Sequence, residues 1–351
     1  MPWRGETDPY RIWVSEVMLQ QTRVETVRER FPAFLAAFPT VEALAVAPEG
    51  QVLKAWEGLG YYARARNLRR AAQAVRDVHG GRLPADEAGL RELPGFGPYT
   101  AAAVASIAFG RPAAVVDGNV VRVLSRLLDD HGDVAASATK ARLQRAADLL
   151  VDPARPGDWN QAIMDLGSTI CAPREPRCLL CPWAGACAAR AAGTAADLPV
   201  KKKKGPTPHH DIAAGLVWRG DAILIGRRPA KGLLGGLWEF PGGKREEGET
   251  LEAACAREIL EETGLVVEVV ALFRAVEHAY SHFSITLHVF HCRIVRGRVR
   301  ARGVEDLRFV PVGELEPYAF PRANGRILEA LRAEGGPAFA APRKRARRGH
   351  A

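Results

Sequence analysis

Apolar residues recur at helical spacing through the first part of the chain and at alternate positions through the last part. The helical spacing continues to about residue 190, and Pro/Gly-rich joints interrupt it. We predict helices at Tyr10–Phe38 with breaks at Pro32, Pro39 and Pro48, and at Gln51–Gly58, Arg64–Val78, Ala85–Glu92, Thr100–Phe109, Gly118–Leu128, Ala136–Leu150 and Trp159–Ile170. We predict strands at Ile212–Trp218, Ala222–Arg227, Val266–Phe273, Ser284–Ile294 and Leu307–Val310, with helices at Thr250–Thr263 and Arg322–Glu334.

These patterns predict a multidomain protein. A chain of 351 residues is long enough for two domains with separate cores. The predicted domains are an all-α domain at 1–192 and an α/β (α+β) domain at 211–336. Small residues, lysines and prolines at 193–210 predict a basic linker, and residues 337–351 predict a basic tail.

The charge distribution favours a polyanionic partner. The chain has 49 Lys and Arg against 40 Asp and Glu, a net charge of +9. Lys201–Lys204 and Arg343–Arg348 concentrate basic residues in segments that could follow a phosphate backbone, although solvated charge would explain the tail equally well. No apolar run approaches the ~20 residues that span a membrane, so we expect a soluble, intracellular protein.

Two segments in the middle of the helical domain combine into a candidate site. Leu93–Thr100 predicts a helix-hairpin-helix in which Gly95 and Gly97 form the tight turn, and the following helix N-terminus favours a phosphate. Asp117 then precedes another helix, so it is either a functional carboxylate or the N-cap of that helix.

A second carboxylate, Glu16, lies among apolar residues on the first predicted helix. A carboxyl group in apolar surroundings has a raised pKa and can act as a general acid, whereas periodicity alone favours an exposed Glu. The loop Gly58–Asn67 combines glycines, paired tyrosines and arginines, which suits insertion into a base stack; aromatic core residues are the alternative.

Four cysteines crowd into 17 residues. Cys171, Cys178, Cys181 and Cys187 can close around one centre, and four thiolates select zinc or an iron–sulfur cluster. The spacing alone does not decide between the two, but it favours a metal site in a reducing compartment over disulfides.

The second domain carries three carboxylates on one helix face. Glu258, Glu261 and Glu262 follow the pattern that begins at Gly243 and Glu249. Such a face is either a solvated acidic surface or a site for Mg²⁺ with a diphosphate, and the glycine, Arg and Glu pattern favours the metal.

Several of these motifs resemble known families. Residues 1–190 resemble the helix-hairpin-helix DNA glycosylase superfamily, and Ser15–Thr22, Gly58–Asn67 and Val116–Val120 are similar to motifs of MutY-type adenine DNA glycosylases. The cysteine spacing is similar to the 4Fe-4S loop of endonuclease III relatives, and the C-terminal half resembles a MutT-like Nudix domain. Family members usually begin with a further helix, so we expect a native N-terminus upstream of Met1 or a missing piece of the helical domain.

The resemblance implies excision of adenine opposite 8-oxoguanine or G, with protonated Glu16 as the acid and ionised Asp117 stabilising the sugar cation. Position 99 carries a lysine in endonuclease III-like lyases; here it is Tyr99, so glycosidic hydrolysis without strand cleavage is expected. The remaining site residues implied are Asn119 and Tyr99, which orient these groups, and Arg4, Gln21, Thr22, Leu59, Tyr61, Gly95 and Gly97, which contact DNA or the flipped base.

The resemblance also implies a lesion-reading loop in the second domain. His278–His282 is similar to the loop that carries a Phe-Ser-His triplet in the family, with Tyr280 in place of Phe and with Ser281 and His282 retained. The implied partner is duplex DNA with A:8-oxoguanine or A:G mispairs, bound by a monomer in the cytoplasm near the nucleoid.

Three alternative functions stay open at this point. The acidic pattern is closer to a working MutT than to the degenerate Nudix domain usual in the family, so Mg²⁺-dependent hydrolysis of oxidised nucleoside triphosphates is one alternative. A DNA-damage binding protein without activity and a bifunctional lyase are the others. The two carboxylates disfavour the first of these, and Tyr99 disfavours the second.

Overall fold

The computed structural model describes residues 2–202, 205, 207–280 and 282–340. Ser281, the lysines at 203 and 204, and the basic tail Arg343–Arg348 lie outside the described residues. The chain divides into two units, one formed by Met1–Ala47 and Asn67–Gly205, the other by Pro48–Arg66 and Pro206–Ala351. Residues 48–66 thus group with the C-terminal part, and the boundaries at 192 and 211 stay predictions.

The first unit is helical. Its helices are α1 (Pro9–Leu19), α2 (Val24–Ala37), α3 (Val41–Val46), most of α5 (Ala63–His79), α6 (Glu87–Arg91), α7 (Pro98–Phe109), α8 (Gly118–Leu127), α9 (Ser137–Leu150), α10 (Pro156–Thr169) and α11 (Ala188–Ala192). A further helix, α4 (Glu49–Ala55), belongs to the second unit. None of the helices within the described part of the chain is long and apolar enough to cross a membrane.

Helix α7 is the centre of the first unit. It packs against α1, α6 and α10, and Ala101–Ala105 are buried on every side, as expected for a helix that is apolar all round. Small alanine side chains let these neighbours approach closely. The N-terminus of α7 therefore lies beside α1, and this neighbourhood brings two predicted site residues together.

One predicted helix break is wrong. Pro32 lies inside α2 and does not end it. A proline in a helix interior removes one backbone hydrogen bond. Here the neighbouring Phe31 and Phe34 are both buried, and this apolar contact offsets the lost bond. The predicted break at Pro39 is confirmed, since α2 ends at Ala37.

The second unit contains a mixed β-sheet. The strands are β1 (His209–Arg219), β2 (Ala222–Arg227), β3 (Trp238–Glu239), β4 (Gly242–Lys244), β5 (Leu265–Ala279), β6 (Ser284–Gly297) and β7 (Asp306–Pro311). The order β3-β2-β1-β6-β5 forms the main path, while β4 pairs with β1 and β7 pairs with β2. β1 and β6 are parallel, and the other pairs are antiparallel. Strands β3 and β4 are too short to show a two-residue period in the sequence.

A helix covers each face of this sheet. Alternate residues of β1 point to opposite sides, so Leu216 and Val217 belong to different core clusters. Helix α12 (Leu251–Thr263) packs on the Val217 side, and α13 (Arg322–Glu334) packs on the Leu216 side. This arrangement confirms the predicted α/β domain with helices at both positions.

Candidate active site, metal-binding loop and acidic helix

Glu16 is buried on α1, so the sequence-based preference for an exposed side chain is wrong. The residue is only 6% exposed, and its carboxyl accepts a hydrogen bond of 2.8 Å from the Tyr99 hydroxyl. Burial raises the pKa of Glu16, and the negative charge of Asp117 raises it further, while the Tyr99 hydrogen bond and the Arg4 charge lower it. The net rise means that this carboxyl keeps its proton to a higher pH than an exposed Glu does.

Tyr99 occupies the second position of α7. Burial and the neighbouring Glu16 carboxyl raise its pKa well above the ordinary value, so the hydroxyl stays protonated and donates. The hydroxyl also lies 3.9 Å from the Met164 sulfur. The first turn of α7 therefore delivers a hydrogen-bond donor to Glu16, and this position carries no amine.

Asp117 both caps a helix and faces the Glu16 site. As N-cap of α8, its Oδ1 accepts from the Val120 N–H at 2.7 Å, and its Oδ2 accepts from Asn119 Nδ2 at 2.9 Å. Its charge acts on both Glu16 and Tyr99. The capping interpretation is therefore correct. Because the charge of the same carboxylate also acts on Glu16 and Tyr99, the functional interpretation remains open beside it.

Arg4 lies at the same site. It donates to Asp165 at 2.6 Å and also to Gln161, two side chains of α10. Its charge lowers the pKa of both Glu16 and Tyr99. The structure thus brings four predicted residues together, namely Arg4, Glu16, Tyr99 and Asp117, with Asn119 bound to the last.

The hairpin before α7 is a tight turn that exposes two glycines. Leu93 and Phe96 are buried, whereas Gly95 between them and Gly97 after them are exposed. Gly95 has φ +82° and a Cβ there would meet Asn67 at 2.6 Å, so only glycine fits. Gly97 has φ −79°, which any residue adopts, so the predicted need for its backbone freedom is wrong. Among the described residues, none apart from its chain neighbours lies within 4 Å of a Cβ built at Gly97, and none caps the α7 N-terminus with its side chain.

The segment after α1 joins that helix to α7. Gln20 donates to the Thr100 hydroxyl at 2.7 Å. Gln21 is exposed with φ +55°, a left-handed backbone conformation that is uncommon outside glycine, and Thr22 is half-buried. Gln21 is therefore presented outward by a constrained turn.

The two predicted contacts of the 58–67 loop differ in exposure. Leu59 is buried, whereas Tyr61 is 41% exposed and also has a left-handed backbone, with φ +47°. The Arg64 guanidinium lies over both the Tyr61 ring, at 5.6 Å, and the buried Trp56 ring, at 5.3 Å. Of this pair only Tyr61 presents its ring to solvent.

Two buried arginines on α8 connect the Asp117 region to the cysteine loop. Arg122 donates to Asn119 Oδ1 at 2.8 Å, to the Gly167 carbonyl at 2.5 Å and to the Cys171 carbonyl at 2.7 Å. Arg126, one helical turn on, donates to the carbonyls of Ala172, Pro173 and Leu198. Neither arginine was predicted as a site residue from the sequence. Both lie on the polar face of α8, with Asn119 and Ser125, and the sequence does not reveal that this polar face is buried.

All four predicted cysteine ligands line one pocket, between α8 and the loop that follows α10. Trp183, Arg126 and Arg177 complete its wall. Among the residues that the structure describes, no three His, Cys, Asp or Glu side chains are grouped so as to hold a single metal ion. Four thiols that line one pocket can serve one shared centre, and such a set binds either zinc or an iron–sulfur cluster.

The acidic face of α12 divides into two parts. Glu258 and Glu262 point at β4: the Glu258 carboxyl lies against Gly243, and Glu262 accepts from the Gly242 N–H at 3.1 Å. Burial and the nearby Glu239 carboxyl raise the pKa of Glu262 to about 7. Glu261 is largely exposed and pairs with Arg257 at 3.4 Å. The structure thus brings two of the three predicted carboxylates, with Glu239, to one glycine-lined edge.

The predicted lesion-reading loop is the turn between β5 and β6. Tyr280 stacks on Phe283 with ring centroids 4.7 Å apart, and its N–H donates to the Phe283 carbonyl at 2.8 Å. His278 packs edge-on against Tyr280 at 4.6 Å. His282 is exposed at the tip. The Ser281 prediction lies outside the described residues.

Two family models match the chain. The model of the HhH-GPD superfamily of base excision DNA repair proteins matches residues 14–148, and the NUDIX domain model matches residues 213–330. The helical fold with its hairpin and paired carboxyls thus defines a base excision repair protein of the HhH-GPD superfamily, followed by a Nudix domain.

Curated relatives narrow the class. The human adenine DNA glycosylase is 35% identical over 346 residues, covering 83% of this chain and 63% of the human protein. The Schizosaccharomyces pombe adenine DNA glycosylase is 34% identical over 332 residues, covering 80% of this chain and 72% of that protein. The chain belongs to the adenine DNA glycosylase family.

A solved structure supports the helical fold. A thermostable thymine-DNA glycosylase matches with a TM-score of 0.50 and 32% identity, over 55% of this chain and 88% of its own. The resemblance found in the sequence is therefore confirmed at the level of family and fold.

Proposed function

We propose that this chain is a monofunctional adenine DNA glycosylase that removes adenine paired with 8-oxoguanine or guanine during base excision repair. The observation that carries the proposal is the buried Glu16 carboxyl, hydrogen-bonded to Tyr99 and electrostatically coupled to Asp117. One protonated and one ionised carboxyl are the pair that cleavage of a glycosidic bond requires.

Glu16 and Asp117 have different roles in cleaving the glycosidic bond. The target adenine leaves the base stack, because its glycosidic bond is inaccessible inside the duplex. Glu16 donates its proton to adenine N7, which makes the base a better leaving group. Asp117 stabilises the positive charge that develops on the sugar, and water then completes hydrolysis. Asn119 and Val120 fix the Asp117 carboxylate, so little reorganisation is needed when that charge appears.

The remaining predicted residues hold the DNA. We assign the hairpin at Gly95 and Gly97 to a backbone phosphate, Arg4 to the flipped adenine, and Gln21 with Thr22 and Tyr61 to the gap left in the stack. Leu59, being buried, would support Tyr61 from behind. Ser281 and His282 would read 8-oxoguanine. The protein would act as a monomer, in the cytoplasm near the nucleoid.

The decisive assay is single-turnover cleavage of a labelled A:8-oxoguanine duplex, developed with and without alkali. Product that appears only after alkali indicates base removal without lyase activity, as expected with Tyr99 in place of an amine. An A:G duplex and a thymine-glycol duplex serve as comparison substrates. No cleavage of either adenine mispair, or equal cleavage without alkali, contradicts the proposal.

Asp117→Asn isolates the carboxylate charge. Asn is as good an N-cap as Asp, so α8 keeps its bond to Val120 while the negative charge is lost. Excision should become undetectable while DNA binding by fluorescence anisotropy persists. Asp86→Asn, at the N-cap of α6, is the matched control and should cleave like the wild type. Wild-type turnover by Asp117→Asn refutes the assignment.

We also propose that Cys171, Cys178, Cys181 and Cys187 bind a 4Fe-4S cluster. The four cysteines line one pocket, which supports a shared centre, and their spacing is similar to that of the 4Fe-4S loop of endonuclease III relatives, which favours a cluster over zinc. When bound, the cluster would supply four Fe–S bonds that brace the loop carrying Arg174 and Arg177. Equal amounts of iron and acid-labile sulfide, lost in Cys181→Ser, are expected; stoichiometric zinc would contradict this.

A second activity is proposed for the Nudix domain: Mg²⁺-dependent hydrolysis of an oxidised nucleoside triphosphate. The convergence of Glu239, Glu258 and Glu262 on Gly242 and Gly243 favours it. The full chain should release pyrophosphate from 8-oxo-dGTP with Mg²⁺, and Glu262→Gln should abolish this while Asp117→Asn does not. Absence of release by the wild type removes this second activity and leaves the first intact.

A further inference from the structure

The loop that carries Tyr61 is hydrogen-bonded at both of its ends to one residue, Phe320, in the Nudix part of the second unit. Glu57 precedes the loop, and its Oε1 accepts from the Phe320 N–H at 3.3 Å. Tyr62 ends the loop, and its hydroxyl donates to the Phe320 carbonyl at 3.4 Å. Both backbone polar groups of Phe320 are therefore used to hold residues 57–62.

Neighbouring contacts reinforce the same attachment. Lys54 donates to the Tyr318 carbonyl at 3.5 Å and pairs with Glu57 at 2.8 Å. Arg66, beyond the loop, donates to the Gly235 carbonyl. Residues 54–66 are therefore bound to the sheet-containing part of the unit at several points, although the chain joins the two parts only through residues 67–205.

Phe320 is itself fixed in the core that supports the lesion-reading loop. Its side chain is 1% exposed and packs on Phe240, with ring centroids 5.8 Å apart. The same apolar cluster includes Tyr280 and Phe283, the aromatic base of the β5–β6 turn. Tyr61 and the β5–β6 turn are thus anchored on one continuous core.

The backbone of the Tyr61 loop leaves little freedom for independent movement. Arg64 donates to the carbonyls of Leu59 and Gly60 at 2.9 and 3.0 Å, and Trp56 donates to Gly60 at 3.1 Å. Tyr61 holds a left-handed backbone, with φ +47°. The Tyr61 loop is therefore braced internally as well as bound to the anchoring core.

We infer that Glu57 and Tyr62 are positioning residues for lesion specificity. Through their hydrogen bonds to the Phe320 backbone, they fix the position from which the Tyr61 ring inserts into the base stack. This insertion occurs when the β5–β6 turn contacts the base opposite adenine. This inference rests on the proposed function. It assigns part of the preference for 8-oxoguanine over guanine to two residues that need not touch either base.

A double-mutant cycle tests it. Tyr62→Phe removes one hydroxyl and should lower the A:8-oxoguanine single-turnover rate about three- to tenfold, the loss expected for one hydrogen bond, with less than a twofold change on A:G. Tyr61→Ala should lower the rate further. Because Tyr62 acts through Tyr61, the double variant should be no slower than Tyr61→Ala alone.

Two controls separate positioning from folding. Tyr10 is an equally buried tyrosine that donates to the Phe38 carbonyl at 2.7 Å in the other unit, so Tyr10→Phe should lower thermal stability without changing the ratio of the two rates. Glu57→Leu should reproduce the Tyr62→Phe phenotype, and Glu57→Gln, which keeps the acceptor for Phe320, should restore discrimination.

The outcomes are separable. Multiplicative losses in the double variant, or equal losses on both substrates, overturn the positioning inference while leaving the glycosylase proposal standing. A wild-type protein that cleaves neither substrate overturns the proposed function itself.

Discussion

Gly167→Ala should reverse the usual effect of this substitution in a helix. Alanine in a helix interior normally stabilises by about 0.5–1 kcal/mol relative to glycine. At Gly167, however, a Cβ would lie 2.6 Å from Asn119 Cβ and 3.1 Å from the Asn119 carbonyl oxygen. Carbon atoms prefer a separation of about 3.5–4.0 Å, so α10 and α8 would have to separate by roughly 1 Å.

That displacement has two measurable consequences. Overpacking costs about 1–3 kcal/mol against the helical gain of about 0.5–1 kcal/mol, so the net destabilisation should reach up to about 2.5 kcal/mol. Asn119 also holds the Asp117 carboxylate at 2.9 Å. A misplacement of about 1 Å at a reacting group can cost about 100-fold in rate, so we expect single-turnover excision to fall about 10- to 100-fold.

The assay pairs urea unfolding with single-turnover kinetics on the A:8-oxoguanine duplex. Gly325→Ala, in α13, is the matched control, because nothing lies within 4 Å of its added Cβ. The control should gain stability at unchanged rate. A Gly167→Ala protein with the stability and rate of the control would show that the α8–α10 approach does not constrain the site.

Three further outcomes are expected. The excision rate should fall as pH rises through the raised pKa of Glu16, and Tyr99→Phe should move this fall to higher pH, since the lost hydrogen bond had lowered that pKa; a pH–rate profile checks both. Folded Glu16 keeps its proton to a higher pH than Glu16 in the unfolded chain, so its contribution lowers the free energy of unfolding as the pH rises above the ordinary pKa of Glu. Glu16→Gln should reduce this dependence of the unfolding free energy on pH, as measured by urea titrations at several pH values. Arg122→Leu leaves the buried acceptors of Asn119, Gly167 and Cys171 without their donor, and each unsatisfied acceptor destabilises the fold by about 1–3 kcal/mol. The variant should therefore have a lower excision rate and a lower iron content. An unchanged rate and an unchanged iron content would show that the arginine is dispensable.

The sequence predicted the elements and the family but not several of the supporting contacts. The apolar pattern located α8 and α12 within a few residues, because each buries one face, and it located α7 as an uninterrupted apolar run between Pro98 and Gly110. It failed at Pro32, where tertiary packing outweighs a local breaker. It could not decide whether Glu16 was buried, since that depends on α7 lying beside α1, a contact between residues more than eighty positions apart. Arg122 and Arg126 were missed for the same reason: their partners are backbone carbonyls of distant loops.

The division of the chain also changes how fragments of this protein can be prepared. The polypeptide passes from one unit to the other at residues 47/48, 66/67 and 205/206, so the halves are interleaved and not joined by a single tether. Protease cleavage within 193–210 would cut only the last crossing and leave residues 48–66 on the N-terminal fragment. A recombinant fragment that starts near residue 209 would lack residues 48–66, the segment that covers Phe320. A Nudix fragment for separate study should therefore include residues 48–66, either fused to it or added as a peptide.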